Sequence, residues 1–393
     1  LPSHFRTAQN FRQATELTEA GASRTDQSTE ALIVERLPRG TLPRMTRSIA
    51  LVGLLLLSTA CSSDDSGETA DDSSSGGTST GSGGTTSGSG GGTGAGGGIQ
   101  PGPGSFIGEC AMFPADNPWN QDISGAPLHV QSDAFIDSIG RDTNLHPDFG
   151  TVWDGAPIGI PYVLVGSDQE KVSVNFEYDD ESDVGPYPVP IDVPIEGGPD
   201  SDGDRHVLVV DTDACMLYEL YSAYPPAGGS GPWDAGSGAI YDLSSNELRP
   251  EGWTSADAAG LPILPGLARY DEVVEQGEIL HALRFTVSQS QRAYIHPATH
   301  AASDSTDPAL PPMGLRVRMK ADYDCSGYSN EVQVICTALK RFGMFVADNG
   351  SDWYVSGAPD DRWSDENLSD LGQITGDAFE AVDTGPTLPW PPN

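Results

Sequence analysis

A chain of 393 residues with 57 Asp and Glu against 20 Lys and Arg carries a formal net charge of −37. Such a surface repels phosphate backbones and anionic bilayers, so nucleic acid is excluded as a partner and a membrane can hold the chain only through a covalent anchor. Forty-seven Gly and 31 Pro point to many turns and few long helices, while 37% hydrophobic residues suffice for a core.

In chain order, residues 1–44 show little sustained apolar periodicity, and Met45 is the expected start of the precursor, with 1–44 upstream of it. The stretch "MTRSIALVGLLLLSTAC" then joins a short basic segment, an apolar run from Ile49 to Leu57, and small residues before Cys61. That run is too short for a hydrocarbon core, which needs roughly 20 residues, and it has the length of a signal-peptide core. "LSTAC", Leu57–Cys61, resembles the lipobox of bacterial lipoproteins. The resemblance implies that residues 45–60 are removed, that Cys61 is acylated on its thiol and its new amino terminus, and that Ser62 directs the protein to the outer membrane. Several acyl chains anchor stably where one does not.

Residues 61–104 are Gly, Ser, Thr and Asp with almost nothing to bury. As a coil of ~40 residues they reach about 35 Å and form a tether. Residues 105–393 are then expected to form one extracytoplasmic domain.

Within that domain, short β-branched runs dominate. "KVSVNFEYD" alternates, with Val172, Val174, Phe176 and Tyr178 on one face. "RHVLVVD", "CMLYELY", "ILHALRFTV" and "GLRVRMKA" read as further strands, and "MFVADNGSDWYVSG" as a hairpin turning at Asn349-Gly350. "NEVQVICTALKRFG" reads as a helix capped by Asn330 and ended by Gly343; "SDAFIDSIG", "TSADAAG" and "SDENLSDLG" read as one- or two-turn helices. The sum predicts a mainly β fold, an antiparallel sandwich or jelly-roll-like body with short peripheral helices; an α+β domain is the alternative.

With Cys61 assigned to the anchor, Cys110, Cys215, Cys325 and Cys336 remain. Export permits disulfides, and four cysteines allow three pairings. Cys325–Cys336 would staple the helix to its entry loop, and Cys110–Cys215 would tie the domain's start to a central strand; Cys336 also suits the helix's apolar face as a core residue.

Candidate chemistry concentrates in "GDRHVLVVDTDACMLYELYSAY". A two-residue turn at Thr212-Asp213 sets His206 opposite Glu219 and Asp204 opposite Tyr221, making His206, Glu219 and Tyr221 an acid–base trio; a three-residue turn sets Glu219 opposite Val207 and dissolves it. Arg284 or His300 would bind substrate, and strand parity separates Arg284 from His281. Asp200, Asp202 and Asp204 resemble half of a calcium loop but lack the late Gly and the Glu of an EF-hand. His296 and His300 lie four apart, but Pro297 works against the helix such a zinc pair requires. Trp233 and Trp253, in Gly- and Pro-rich context, are candidate sugar platforms. No lipase-type elbow, phosphate loop or dinucleotide fingerprint is present.

The body from Asn117–Pro127 through Gly260–Val273 is similar to exported bacterial proteins of unknown activity, a resemblance that covers most of residues 105–390 and implies no functional residue. Two functions follow as expectations: an anchored enzyme, lyase or hydrolase, acting on an extracellular polysaccharide without a required cofactor, or a lipoprotein that binds carbohydrate or a surface, with calcium as a candidate ligand.

Overall fold

In the computed structural model, residues 99–392, apart from Pro101, Pro103 and Asp154, are described. The signal peptide, Cys61 and almost all of the tether lie outside the described residues. The described residues belong to one compact unit.

Ten strands build the two main sheets: β1 (His146–Asp148), β2 (Tyr162–Val165), β3 (Val207–Asp211), β4 (Met216–Tyr221), β5 (Ser237–Asp242), β6 (Leu283–Val287), β7 (Arg316–Met319), β8 (Met344–Asn349), β9 (Tyr354–Ser356) and β10 (Phe379–Val382). One sheet runs β5-β4-β3-β2, the other β10-β7-β8-β6-β9-β1. The α-helices are α1 (Ser132–Ile139), α2 (Asn330–Arg341) and α3 (Asp365–Leu368). Strand outweighs helix, 26% to 16%, so the mainly β expectation holds. The sheets are mixed, however: β2 with β3, β8 with β6, and β9 with β1 pair in parallel. A parallel pair needs a long crossover, and between β6 and β8 the chain supplies one through β7 and α2.

Alternation sorts the four-stranded sheet. Val207, Val209, Tyr218 and Leu220 face a smaller core with Tyr187 and Trp233; Leu208, Val210 and Leu217 face the main core. Helix α2 buries Val332, Ile335, Cys336, Ala338 and Leu339, the stripe its 3.6-residue spacing predicts. Its N-cap is Ser329 rather than Asn330. Cys110–Cys215 and Cys325–Cys336 are both bonded.

Two expected elements are absent. β8 and β9 form no hairpin, because β6 lies between them and pairs with both. The Gly350 N–H instead bonds Val287 O, and neither Asn349 nor Gly350 has positive φ. "TSADAAG" is not helical: the Ser255 hydroxyl accepts the Asp257 N–H and donates to the Asp257 carbonyl, and Thr254 also donates there. Such local bonds compete with helix formation.

The segment 255–268 is almost wholly buried. Buried loops are uncommon because their backbone polar groups must find partners. Here Ile263 and Leu264 N–H bond the Glu219 carboxylate, Ala259 N–H bonds Ala347 O in β8, and Ala268 N–H bonds Ser356 O in β9. The loop thereby joins one sheet to the other. Gly266 permits that closeness, since a Cβ there would lie 2.8 Å from the Trp119 ring.

Candidate functional site

The β3–β4 turn sets the site's register. Asp211 pairs with Met216, leaving a four-residue loop, Thr212–Cys215, in place of the two or three residues expected. The Asp211 carboxylate accepts the N–H groups of Asp213 and Ala214, Cys215 takes a φ of 51°, and the disulfide to Cys110 fixes it. Glu219 therefore stands opposite Leu208 rather than His206. The shift from a two-residue turn is two positions, so His206, Glu219 and Tyr221 keep a common face. His206 lies beside Tyr221, ring centroids 5.8 Å apart.

The partner that charges His206 is Glu196, not Glu219. Nε2 of His206 lies 3.0 Å from Ala256 O, which can only accept, so Nε2 carries a proton. Nδ1 lies 2.7 Å from Glu196 Oε2. Burial disfavours the imidazolium, but the Glu196 charge and hydrogen bond overcome it and raise the pKa to about 9. Glu196 is held below its ordinary value, His206 outweighing burial. Glu219 is fully buried and its oxygens are spent on Ile263 and Leu264 N–H. Burial, reinforced by the Asp257 charge, lifts its pKa to about 7 against those bonds.

The second sheet contributes Arg284. Its Nη2 lies 2.8 Å from Asp257 Oδ1, its Nε 3.2 Å from Oδ2, and its Nη1 donates to Ser356 Oγ at 2.6 Å. Burial pushes the Asp257 carboxyl up despite this ion pair. A bulge adds a further acid. Thr286 pairs with Asp348, so Ala347 is an extra residue in β8. Without it, Asp348 would oppose Val287 on the far face; with it, Asp348 shares the face of Arg284 and Thr286. Burial, then the charges of Asp257 and Asp204, lift Asp348 to about 7. Burial followed by Asp204 and Asp348 raises the Tyr221 phenol to about 12.

Five carboxyls thus gather around two cations, His206 and Arg284. His206, Glu219, Asp257 and Arg284 form a buried floor; Glu196, Asp204, Tyr221 and Asp348 are its half-buried rim. Ligand atoms of Glu196, Asp204 and His206 lie within 4.8 Å of one another. The 2.7 Å contact between His206 and Glu196 holds a proton, and a metal would have to displace it.

Other expected site residues lie elsewhere. Asp200 and Asp202 are exposed and outside the trio that Asp204 joins. Their loop wraps a cation already present: Arg205 Nη1 donates to Pro199 O at 3.0 Å and Ser201 O at 2.8 Å. Trp233 is 1% exposed, packed in the smaller core, and so cannot serve as a sugar platform as placed. Trp253 is half-buried with the Arg249 guanidinium 5.6 Å from its ring. His300 is buried, its Nδ1 2.9 Å from Ala258 O and its ring edge-on to Trp390, apart from the cluster. His281 precedes β6 and bonds Glu272, whereas Arg284 within β6 bonds Asp257 and Ser356, so these bonds give the two no common partner. His296 bonds Glu251.

Glu196, Asp257 and Asp348 are the members that sequence spacing did not reveal. The Gly197-Gly198 turn before His206 was a usable signal for Glu196, whose N–H bonds His206 O. Asp348 depends on a bulge that no composition announces. Comparison of the chain with protein-family models, curated proteins and solved structures returned no match.

Proposed function

We propose that the chain is a lipid-anchored cell-envelope protein whose β-rich domain performs acid–base chemistry on an extracellular polysaccharide, as a hydrolase or lyase. The lipobox-like sequence around Cys61 supports the anchor, and two disulfides suit an oxidising compartment. The observation that carries the chemistry is the β8 bulge, which turns Asp348 onto the face of Arg284 as a rim carboxyl; there burial and the charges of Asp257 and Asp204 raise its pKa to about 7. A protonated acid and a neighbouring acceptor are what glycosidic cleavage needs near neutral pH. In this reading Asp348 donates a proton to the leaving oxygen, the Asp204 carboxylate takes one from the attacking water in a hydrolase or from the sugar carbon in a lyase, and Glu196, His206, Asp257 and Arg284 fix the charges behind them. Glu219 becomes a positioning residue, holding the loop that carries Asp257. The reading requires no metal.

Incubating the full chain with a panel of neutral and uronate polysaccharides, and reading reducing ends and unsaturated products, tests it. Asp348→Asn is expected to lower turnover about 100-fold or more. Absence of turnover on every polymer, or an unaffected Asp348→Asn variant, removes the catalytic assignment. Retention without turnover would leave a carbohydrate-binding lipoprotein.

A further inference from the structure

A cleft of about 490 Å³ opens beside the end of the buried loop, lined by Tyr162, Arg269, Tyr270, Asp271, Asp360 and Arg362, with Pro161 and Pro359 among its apolar walls. Arg269 is 1% exposed, yet its guanidinium is only partly used. Nη2 is held by Glu272 Oε1 at 2.6 Å and Phe106 O at 3.1 Å. Nε lies 3.6 Å from Asp271, too far for a hydrogen bond, and among the described residues Nη1 has no hydrogen-bond partner. A permanently charged group with a buried, unused donor is costly, and the missing acceptor is an oxygen brought by something else.

The surroundings decide what kind of oxygen. Asp271 and Glu272 flank Arg269 and Asp360 shares its cleft, while Arg362 is spent on Asp360 and Glu275 and stacks on Tyr270 at 4.2 Å. Carboxylates outnumber unpaired cations, and the whole chain carries −37. An anion is therefore repelled, whereas a neutral group with both hydroxyl donors and oxygen acceptors is matched: carboxylates accept from it and Nη1 donates to it. The Tyr162 ring and the prolines supply apolar faces for C–H groups. We infer that this cleft binds a neutral sugar unit of a polysaccharide, with Arg269 Nη1 as the specificity-setting donor and Tyr162 as the stacking face. The inference rests on the reading that the domain meets a polysaccharide, but on none of the acid–base residues.

The full chain, in detergent micelles, is titrated by calorimetry with maltohexaose, cellohexaose, mannohexaose and xylohexaose, with hexagalacturonate as the anionic comparator. At least one neutral oligosaccharide is expected to bind more tightly than hexagalacturonate. Tyr162→Ala and Arg269→Lys are each expected to weaken it about tenfold, as the loss of a stack or a donor would. Asp360→Asn, at the cleft's rim, gives a second reading should Tyr162→Ala fail to fold, and is expected to weaken binding in the same direction. No binding of any neutral probe, preference for hexagalacturonate, or affinity indifferent to Arg269→Lys and to the rim variants would overturn the inference; the last result would assign Nη1 to an internal water. Binding that depends on these residues while no polymer is cleaved would refute the catalytic proposal and leave the cleft standing. Cleavage by a protein whose affinity ignores Tyr162 and Arg269 would do the reverse.

Discussion

Asp348 owes its place to one extra residue in β8, and its chemistry to the acids it meets there. Its carboxyl ionises near 3.8 when unfolded and near 7 when folded. The stability it contributes is therefore intact below pH 3.8, declines as pH rises, and is lost above about 7. Asp348→Asn removes that loss. The variant is expected to melt about 2 °C or more above the parent at pH 8 and level with it at pH 4, a modest gain because the side chain is half-exposed to screening solvent. Thermal melts at the two pH values check this. His206 behaves with the same sign for a different reason. Its folded pKa, raised from 6.5 to about 9, gives a contribution fully present below 6.5 and lost as pH passes 9. His206→Gln leaves Glu196 without its buried partner and is expected to cost about 3 kcal/mol at pH 6. Urea titrations should find that deficit shrinking by pH 10, where the parent has lost the ion pair too; a constant deficit would mean packing, not charge. At this scale strand parity made His206, Glu219 and Tyr221 legible as sharing one sheet face, and Arg284 was legible only as a separate candidate. The sequence hid Glu196, Asp257 and Asp348, because a turn, a buried loop and a bulge deliver them, and none has a period to detect.

Elements were most legible where burial is periodic. The stripe of α2 and the alternation in β3 and β4 each follow from one face meeting a core. They were least legible where pairing is non-local: an apparent hairpin at Asn349-Gly350 is split because β6 competes for both strands. The disulfides act at this scale, and they differ in span. Cys110–Cys215 closes 105 residues and Cys325–Cys336 only 11. Chain entropy assigns about 4.7 kcal/mol to a loop of the first size and about 3 kcal/mol to one of the second. Replacing Cys110 and Cys215 together by Ala should lower the urea midpoint more than replacing Cys325 and Cys336. The first bridge also clamps the β3–β4 turn that sets the Glu219 register, so its loss should reach turnover or binding as well as stability. If the short bridge proves the more costly to lose, local packing around α2 outweighs chain entropy.

Over the whole molecule, charge is the dominant fact. At −37 the folded chain repels itself, and expansion on unfolding relieves that repulsion. Ion pairs work the other way, but those of Arg141 and Arg362 are largely at the surface and worth little each. Added salt screens both. If repulsion among 57 acids outweighs the pairs made by 20 basic residues, salt must stabilise the fold. The melting temperature is accordingly expected to rise by a few degrees from low to half-molar sodium chloride, at roughly 2–4 °C per kcal/mol relieved. The Arg284–Asp257 pair is buried on both sides and lies out of reach of that screening, and the His206–Glu196 pair is partly sheltered from it, so neither should offset the gain. Calcium chloride at matched ionic strength separates screening from binding. With Asp200 and Asp202 exposed around Arg205, and the His206–Glu196 contact filled by a proton, calcium is expected to add nothing beyond sodium. A saturable extra rise at millimolar calcium would show that the rim carboxylates rearrange around the ion, and would return Asp204 from proton acceptor to ligand. A fall in melting temperature with sodium chloride would instead mean that the surface pairs hold the domain together more strongly than its charge drives it apart.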